Sequence, residues 1–401
     1  MYIISLYYYR RIFYYSMKLN KYFLFLFMIL IVLCAALYFI GNPQYREGLS
    51  TDTNNDAVAE AQGYVNNKQY AGASGYIKIL PMSNSVLNST PARGIMSSYP
   101  DITDMPISQY LVKSSYNSAC SGTGRSISNE MLKYVLSRGC RFIDFEISNI
   151  NDVPYVVFSD PTAIVPIDKN KISKLDDILK TAMTYGLGDA DGHAPNYKDP
   201  LFINLRINPD STIYQKVASS IYANVGNQLY GFEGTGVEPV DVNVTKMSDI
   251  MGKAVIIMDP NYNTKWRSQS ECSGSTMVKC YDLSNFVHLE SGNNIIKTTS
   301  PSLLSAQIQT PIIPISDSLG VSNTGVQIIL PEDDRGLLNT VKTAAGSNPD
   351  LKTIVLGWSC NFITNRFYIQ DDAFRKYESL FNSQRLGIVP LSYVRNYYLK
   401  K

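Results

Sequence analysis

The stretch SISNEMLKYVLSRGCRFIDFEISNINDVPYVVFSD, residues 126–160, decides the fold of this chain. Its first part carries apolar residues at helical spacing, which predicts a helix over 126–138. Its second part contains the runs RFIDFEI (141–147) and YVVF (155–158), whose β-branched and aromatic residues predict two strands. A helix that leads directly into strands is the repeating unit of α/β folds.

The same alternation continues over about 300 residues, a length that suits a single closed barrel with insertions. Alternating strands and helices therefore predict an α/β architecture for the chain from Met105 onward. Further strands are predicted at 107–112, 201–207, 254–259, 285–290, 326–330, 353–358 and 387–391, and further helices at 173–185, 211–223, 335–345 and 371–382.

Composition and charge limit the class of protein. The 401 residues are 45% hydrophobic and 17% charged, which excludes a wholly disordered or fibrous chain. The net charge is +2, but residues 1–21 hold four bases and no acid, so the remainder has 32 bases against 34 acids, or −2. A near-neutral body lacks the basic face that a nucleic-acid partner requires.

Residues 22–40, YFLFLFMILIVLCAALYFI, form an uncharged apolar run of nineteen residues. At about 1.5 Å per residue, a helix of this length nearly spans a hydrocarbon core of about 30 Å. A buried core helix would show a polar face, and the apolar stretch of a cleaved signal peptide is usually shorter, so we expect a transmembrane helix. The bases before it place residues 1–21 in the cytosol and the remainder on the lumenal or extracellular side.

The predicted organisation is therefore a basic and aromatic N-terminus (1–21), a single transmembrane helix (22–40), a stalk (41–102) and a globular part (103–401). The stalk is rich in Asn, Ser, Ala and Gly and has few apolar runs. In an oxidising compartment Cys272 and Cys280 would plausibly form a short disulfide loop, whereas the other cysteines outside the membrane are as easily explained as buried thiols. Asn88-Ser-Thr and Asn243-Val-Thr match the glycosylation acceptor pattern.

Histidine is scarce in this chain, which has only His193 and His288. Because His is the commonest general acid or base, a mechanism that needs two histidines must use this pair. His193 lies in a loop before a predicted strand, which places it at the end of the barrel opposite the expected site. His288 lies within a predicted strand, where a core position is expected.

Three stretches together resemble the X region of phosphoinositide-specific phospholipase C. They are MPISQYLVKSSYNSA (105–119), the stretch 126–160, and the helix LDDILKTAMTYG (175–186) followed by PLFINLRIN (200–208). The resemblance covers 105–210, and residues 320–395 resemble the Y region of the family more loosely. It implies a distorted (β/α)8 TIM-type barrel whose site lies at the carboxyl ends of the strands.

The resemblance also assigns positions in the site. The first catalytic His position of the family holds Tyr116. The second holds Ser159, or Phe158 if the one-residue insertion near Pro154 is placed differently. In the family one His takes the proton of the inositol 2-hydroxyl, and the other protonates the leaving oxygen. Tyr has a reference pKa of about 10 and Ser is no proton shuttle near neutrality, so we expect most of the acid/base contribution to be lost.

The metal-ligand positions of the family's eukaryotic members, which hold calcium, are only partly retained. Asn117 matches the metal-binding Asn, and Asp144 and Glu146 match the acidic pair with the two identities exchanged. Being two apart on a strand, the two acids face the barrel interior together. A third ligand position, a Glu in the family, holds Arg206, whose fixed charge would repel a metal ion and could pair with the acids. We therefore expect no cofactor, and calcium only if the site is active.

These observations predict a membrane-anchored, phospholipase-C-like protein of impaired catalysis, a pseudoenzyme that acts as a binding or structural module. Its partner would be a phosphorylated lipid headgroup with Arg206 as donor, or another protein. One alternative is an active phosphoric diester hydrolase that cleaves phosphatidylinositol-type or other phosphodiester lipids with a rearranged site. Another is an exported barrel of a different class.

Overall fold

A computed structural model describes most of the globular part of the chain. The described residues are 103–121, 126–158, 171–208, 213–234, 236–260, 263–272, 280–291, 296–299, 326–331, 348–352, 361–369, 371–384 and 386–399. All of them belong to one compact unit, Thr53–Lys401. Within them, no helix combines the length and apolar character needed to cross a membrane. The predicted transmembrane helix (22–40), the stalk (41–102), Ser159 and the elements predicted at 335–345 and 353–358 lie outside the described residues.

Strands and helices alternate as the sequence predicts. The strands are β1 (Tyr110–Ser115), β2 (Phe142–Ile150), β3 (Val153–Val157), β4 (Ser173–Lys174), β5 (Leu201–Ile207), β6 (Ala254–Met258), β7 (Leu289–Glu290), β8 (Ile296–Thr299), β9 (Val326–Ile329), β10 (Phe362–Asn365) and β11 (Ile388–Pro390). The α-helices are α1 (Asn129–Ser137), α2 (Leu175–Gly186), α3 (Tyr214–Asn224), α4 (Trp266–Ser270), α5 (Asp372–Gln384) and α6 (Leu391–Leu399).

The sheet has the strand order β7-β6-β5-β2-β1-β10-β9-β8, and every neighbouring pair in this path is parallel. From β1 towards β7 the strands come in chain order, and from β1 towards β8 they come in reverse chain order. This is the order of a barrel opened between β7 and β8. Strands β11 and β3 pair antiparallel with the central strands β1 and β2, and β4 pairs antiparallel with β3. The fold is therefore α/β, with a curled, mainly parallel sheet that forms a half-barrel.

The pairing of β2 with β5 places the polar residues above an aromatic floor. Phe142 pairs with Phe202, and the rings of both contact Phe362 of β10, at centroid distances of 4.7 and 5.1 Å. Two and four residues further along each strand, the same face carries the pairs Asp144↔Asn204 and Glu146↔Arg206. The polar layer therefore lies towards the carboxyl ends of the strands.

Local contacts set the entry into β2. The Ser128 side chain caps α1 by accepting hydrogen bonds from the N–H groups of Glu130 and Met131. Gly139, with φ of 79°, ends the helix in the left-handed region and turns the chain towards β2. The buried Arg141 donates to the carbonyl oxygens of Gly186 and Pro200, which ties the end of α2 and the start of β5 to β2.

Tertiary contacts shift three of the predicted strand boundaries. Residues Ile107–Gln109 form a 3-10 turn rather than the start of β1, because the Ile107 and Ser108 N–H groups donate to the carbonyl oxygens of Thr245 and Val242. Only Leu289–Glu290 of the strand predicted at 285–290 pairs in the sheet, since Leu283–Phe286 are a 3-10 turn capped by Asp282. The pattern around 387–391 forms β11, which pairs antiparallel with β1.

The cysteines follow the prediction where the structure describes them. Cys272 and Cys280 are joined by a disulfide, which confirms the predicted short loop. Cys140 is a buried thiol whose pKa burial raises to about 12.

Candidate functional site

The predicted site residues that the structure describes meet at the carboxyl ends of the parallel strands. Tyr116 and Asn117 follow β1, Asp144 and Glu146 lie on β2, and Arg206 lies on β5. All five are buried, with exposed fractions between 0 and 5%. Parallel strands deliver their carboxyl ends to one face of the sheet, so residues far apart in sequence become neighbours there.

Arg206 and Asp144 form a two-point ion pair at the centre of this cluster. The Arg206 Nε donates to Asp144 Oδ1 at 2.9 Å, and Arg206 Nη2 donates to Asp144 Oδ2 at 2.8 Å. Both side chains are fully buried. A guanidinium bound side-on to a carboxylate is the strongest common geometry of a protein ion pair.

Asn117 completes the shell around Asp144 with both its backbone and its side chain. Asn117 has a positive φ of 45°, and the Asn117 N–H donates to Asp144 Oδ2 at 2.9 Å. Asn117 Oδ1 accepts a hydrogen bond from Arg206 Nη2. The Asn117 Nδ2 group is buried and has no hydrogen-bond acceptor among the described residues.

Two further amides hold the acidic pair. Asn204, the register partner of Asp144 on β5, donates to Asp144 Oδ1 at 2.8 Å. Glu146 Oε2 lies 3.6 Å from Arg206 Nη1, and Asn208 Nδ2 donates to Glu146 Oε1 at 3.4 Å. One guanidinium therefore lies against both carboxylates, and the three side chains together carry a formal charge of −1.

Tyr116 is flanked by two arginines. The Arg206 Cζ lies 4.7 Å and the Arg366 Cζ 5.5 Å from the centroid of the Tyr116 ring, both within cation–π range. Arg366 directly follows β10, is fully buried, and has its backbone N–H bonded to Asn348 Oδ1 at 2.6 Å. Sequence analysis missed Arg366 because β10 was not predicted, and its place beside Tyr116 follows only from the pairing of β10 with β1.

Calcium does not fit this donor set. Asp144 is fully engaged by Arg206, Asn117 and Asn204, and the Asn117 oxygen is turned towards Arg206. A divalent cation would have to displace a buried guanidinium from the two carboxylates. In the part of the chain that the structure describes, no cluster of three or more His, Cys, Asp or Glu side chains could hold a metal ion.

Neither histidine lies with this cluster. His193 lies in the loop before β5, at the amino ends of the strands, where its Nδ1 contacts the Ala190 carbonyl oxygen at 2.8 Å. His288 is buried against β6 and uses both ring nitrogens on the backbone: Nδ1 accepts from the Ile256 N–H and Nε2 donates to the Tyr230 carbonyl oxygen. Burial lowers the pKa of His288 to about 4.

The structure describes only one of the two residues predicted for the second His position. Ser159 lies outside the described residues, whereas Phe158, the alternative, directly follows β3 and is partly buried against the hydrophobic core.

A second buried charge cluster lies outside the site and joins β1 to α1 and α5. Lys113 Nζ lies 2.7 Å from Glu378 Oε1 and also donates to the Arg138 carbonyl oxygen at 2.7 Å. The Arg138 guanidinium pairs with Glu378 Oε2. Burial lowers the pKa of Lys113 below its usual value. Burial alone would raise the pKa of Glu378, but Arg138 and Lys113 together outweigh it and hold that pKa low.

Comparison with known sequences supports the resemblance to the X region. Residues 103–258 match the family model of the phosphatidylinositol-specific phospholipase C X domain. This match confirms the resemblance to the X region over residues 103–258. The match includes the predicted segment 105–210 and continues through β6, so all five described site residues lie inside the matched segment.

Solved structures agree with this assignment at the level of the fold. The PLC21 structure from L. pealei has a TM-score of 0.51 and 13% identity, with 84% of this chain and 43% of that chain covered. The PLC21 structure from S. officinalis has a TM-score of 0.51 and 14% identity, with the same coverage. This chain thus spans less than half the length of these relatives. No curated protein matches the sequence.

Proposed function

We propose that the X-domain barrel is a metal-independent module of impaired catalysis, which binds a phosphorylated headgroup at the carboxyl ends of its strands. The observation that carries this proposal is the Arg206–Asp144 pair, which places a fixed cation among the family's metal-ligand residues. An internal cation among these carboxylates disfavours a divalent metal, and the Arg366 guanidinium beside Tyr116 supplies positive charge for an anionic ligand.

The surroundings of Tyr116 support the loss of catalysis. Tyr116 occupies the family's first His position, and two guanidinium groups flank its ring. Neither of the chain's histidines lies close enough to substitute. General acid/base catalysis contributes typically 10²–10⁴-fold, and no described group replaces the missing shuttle at this position.

Two donors near Tyr116 support anion binding. The Arg366 guanidinium lies against the Tyr116 ring, and the buried Asn117 Nδ2 has no acceptor among the described residues. A buried N–H group without an acceptor costs free energy, and a phosphate oxygen would relieve that cost. These donors suit a phosphate ester, and a phosphorylated headgroup supplies such an ester.

We also propose that residues 22–40 anchor the protein in a membrane, with the N-terminus in the cytosol and the barrel lumenal or extracellular. The uncharged run of nineteen residues and the bases that precede it support this topology. The Cys272–Cys280 disulfide supports an oxidising compartment for the barrel.

The test uses the full-length protein. Phosphatidylinositol cleavage is assayed with calcium and with a chelator, and binding of myo-inositol 1-phosphate is measured by calorimetry. We expect no cleavage under either condition and measurable binding that weakens at least tenfold in Arg366→Met. The matched control is Arg267→Met, because Arg267 is 59% exposed and pairs with Glu290 away from Tyr116.

An active phosphoric diester hydrolase with a rearranged site is the alternative. Cleavage that Tyr116→Phe or Ser159→Ala abolishes would refute the impaired module and establish this alternative. Absence of both cleavage and headgroup binding would refute the binding role and leave a protein-contact module.

A further inference from the structure

The acceptor sequence Asn243-Val244-Thr245 lies in a loop fixed to the amino ends of the strands. The Ser108 N–H donates to the Val242 carbonyl oxygen at 2.9 Å, and the Ile107 N–H donates to the Thr245 carbonyl oxygen at 3.1 Å. Because Ile107 and Ser108 immediately precede β1, this loop lies at the end of the sheet opposite the carboxyl-end site.

The loop presents its acceptor residue to solvent. Asn243 is exposed, and Val244 is 70% exposed. Val244 is also the one large apolar side chain that is exposed in the described part of the chain. A single exposed apolar residue is common on protein surfaces, so the exposure marks accessibility rather than a docking patch.

Asp241 and Thr245 hold the shape of the loop. Asp241 Oδ1 accepts from the Asn243 N–H at 2.9 Å, and the Asp241 carbonyl oxygen accepts from the Thr245 N–H at 2.7 Å. The Thr245 hydroxyl oxygen accepts from the Asp241 N–H at 3.1 Å. Backbone groups and the side chains of Asp241 and Thr245 therefore hold the turn.

We propose that Asn243 is N-glycosylated. The Asn243 Nδ2 forms a bond to C1 of an oligosaccharide carried on a lipid pyrophosphate, the C1–oxygen bond of that donor breaks, and the lipid pyrophosphate leaves while Nδ2 gives up one proton. The proposal rests on the exported topology of the barrel and not on its headgroup site, so the two can fail separately.

The position of Asn243 has a consequence for the rest of the molecule. A glycan there occupies the amino-end face of the barrel and shields Val244, and the carboxyl-end site around Tyr116 stays uncovered. Modification and ligand binding are therefore compatible on one molecule.

The experiment expresses the full chain in eukaryotic secretory cells, with Asn88→Gln as the background because Asn88-Ser-Thr is a second acceptor sequence. We expect one mobility shift that peptide-N-glycosidase removes. The added substitutions Asn243→Gln and Thr245→Ala should each abolish the shift, and Thr245→Ser should retain it. Mass spectrometry after the glycosidase should find Asp at position 243.

Two results would overturn the proposal. One is a glycosidase-sensitive shift that persists when Asn243→Gln is added to the Asn88→Gln background. The other is the absence of a mobility shift in the Asn88→Gln background. The parent chain, which keeps Asn88, then shows why the shift is absent. A glycan on Asn88 of the parent means that the barrel is exported and Asn243 is not used, whereas an unmodified parent means that the export premise fails.

Discussion

Arg206 on β5 bonds to both carboxylate oxygens of Asp144 on β2, at 2.9 and 2.8 Å, although the direct register partner of Asp144 is Asn204. The Arg206 guanidinium therefore extends from its own register partner, Glu146, to the inward-facing pair before it. Its Nη1 atom remains 3.6 Å from Glu146 Oε2. We expect Arg206→Met to lower the free energy of unfolding by about 3–5 kcal/mol, because it leaves two buried carboxylates without a counter-charge. Urea denaturation measures this, and Arg267→Met is the exposed control; equal losses in the two variants would contradict it.

Arg206→Glu should convert the site into one that responds to calcium. The family has a Glu at this position, and the variant places a third carboxylate beside Asp144, Glu146 and the Asn117 amide. We expect calcium to raise the melting temperature of the variant and not that of the parent. At a calcium concentration of about 100 Kd the stabilisation would be about 2.7 kcal/mol. Arg267→Glu adds the same charge at an exposed site, and a calcium response in that control would show that the effect is not local.

Tyr116 and Arg366 should be energetically coupled. Their cation–π contact of 5.5 Å is buried, and desolvated contacts of this kind contribute about 2 kcal/mol or more. A double-mutant cycle with Tyr116→Leu and Arg366→Met measures the coupling free energy. The exposed contact between Lys198 and Tyr197, at 5.7 Å, provides a matched cycle that should give less than about 1 kcal/mol. A coupling near zero for the buried pair would show that the stacking contributes nothing.

The sequence predicts the parts of the fold that have a strong local pattern. β5 was predicted with its observed bounds, and α2 and α3 within a few residues, because their apolar spacing agrees with their burial. β7 was overpredicted, because Asp282 caps a 3-10 turn in the segment before it. β10 was missed, since FITN is too short and too polar for a periodic signal.

The residues of the site also divide into those with a local sequence signal and one without. The sequence named Tyr116, Asn117, Asp144, Glu146 and Arg206, all of which lie in or next to strongly patterned strands. Arg366 enters only through the pairing of β10 with β1, a contact between residues about 250 apart in the chain. Such a neighbour follows from the closure of the sheet and not from any local pattern.

The buried cluster of Lys113, Arg138 and Glu378 should be a major source of stability, because it joins β1 to α1 and α5. Lys113→Met removes one cation from a fully buried carboxylate, and we expect a loss of about 3–5 kcal/mol in the free energy of unfolding. Lys133→Met is the matched control, because its pair with Glu130 is an (i, i+3) contact near the surface and should cost less than about 1 kcal/mol. Similar losses in both variants would contradict the role of burial.

His288 should make the stability of the barrel depend on pH in a defined window. Its pKa in the folded protein is lowered to about 4 by burial, and an unfolded His titrates at about 6.5. Between these values the unfolded chain binds a proton that the folded protein does not, so the stability that His288 contributes is complete above pH 6.5 and declines as the pH falls towards 4. The slope is at most about 1.4 kcal/mol per pH unit. Urea denaturation between about pH 7 and pH 4.5 should show a flatter dependence in His288→Asn than in the parent, whereas the exposed control Arg267→Met should keep the parental slope. Identical slopes in all three proteins would mean that burial of His288 does not control the acid sensitivity of the fold.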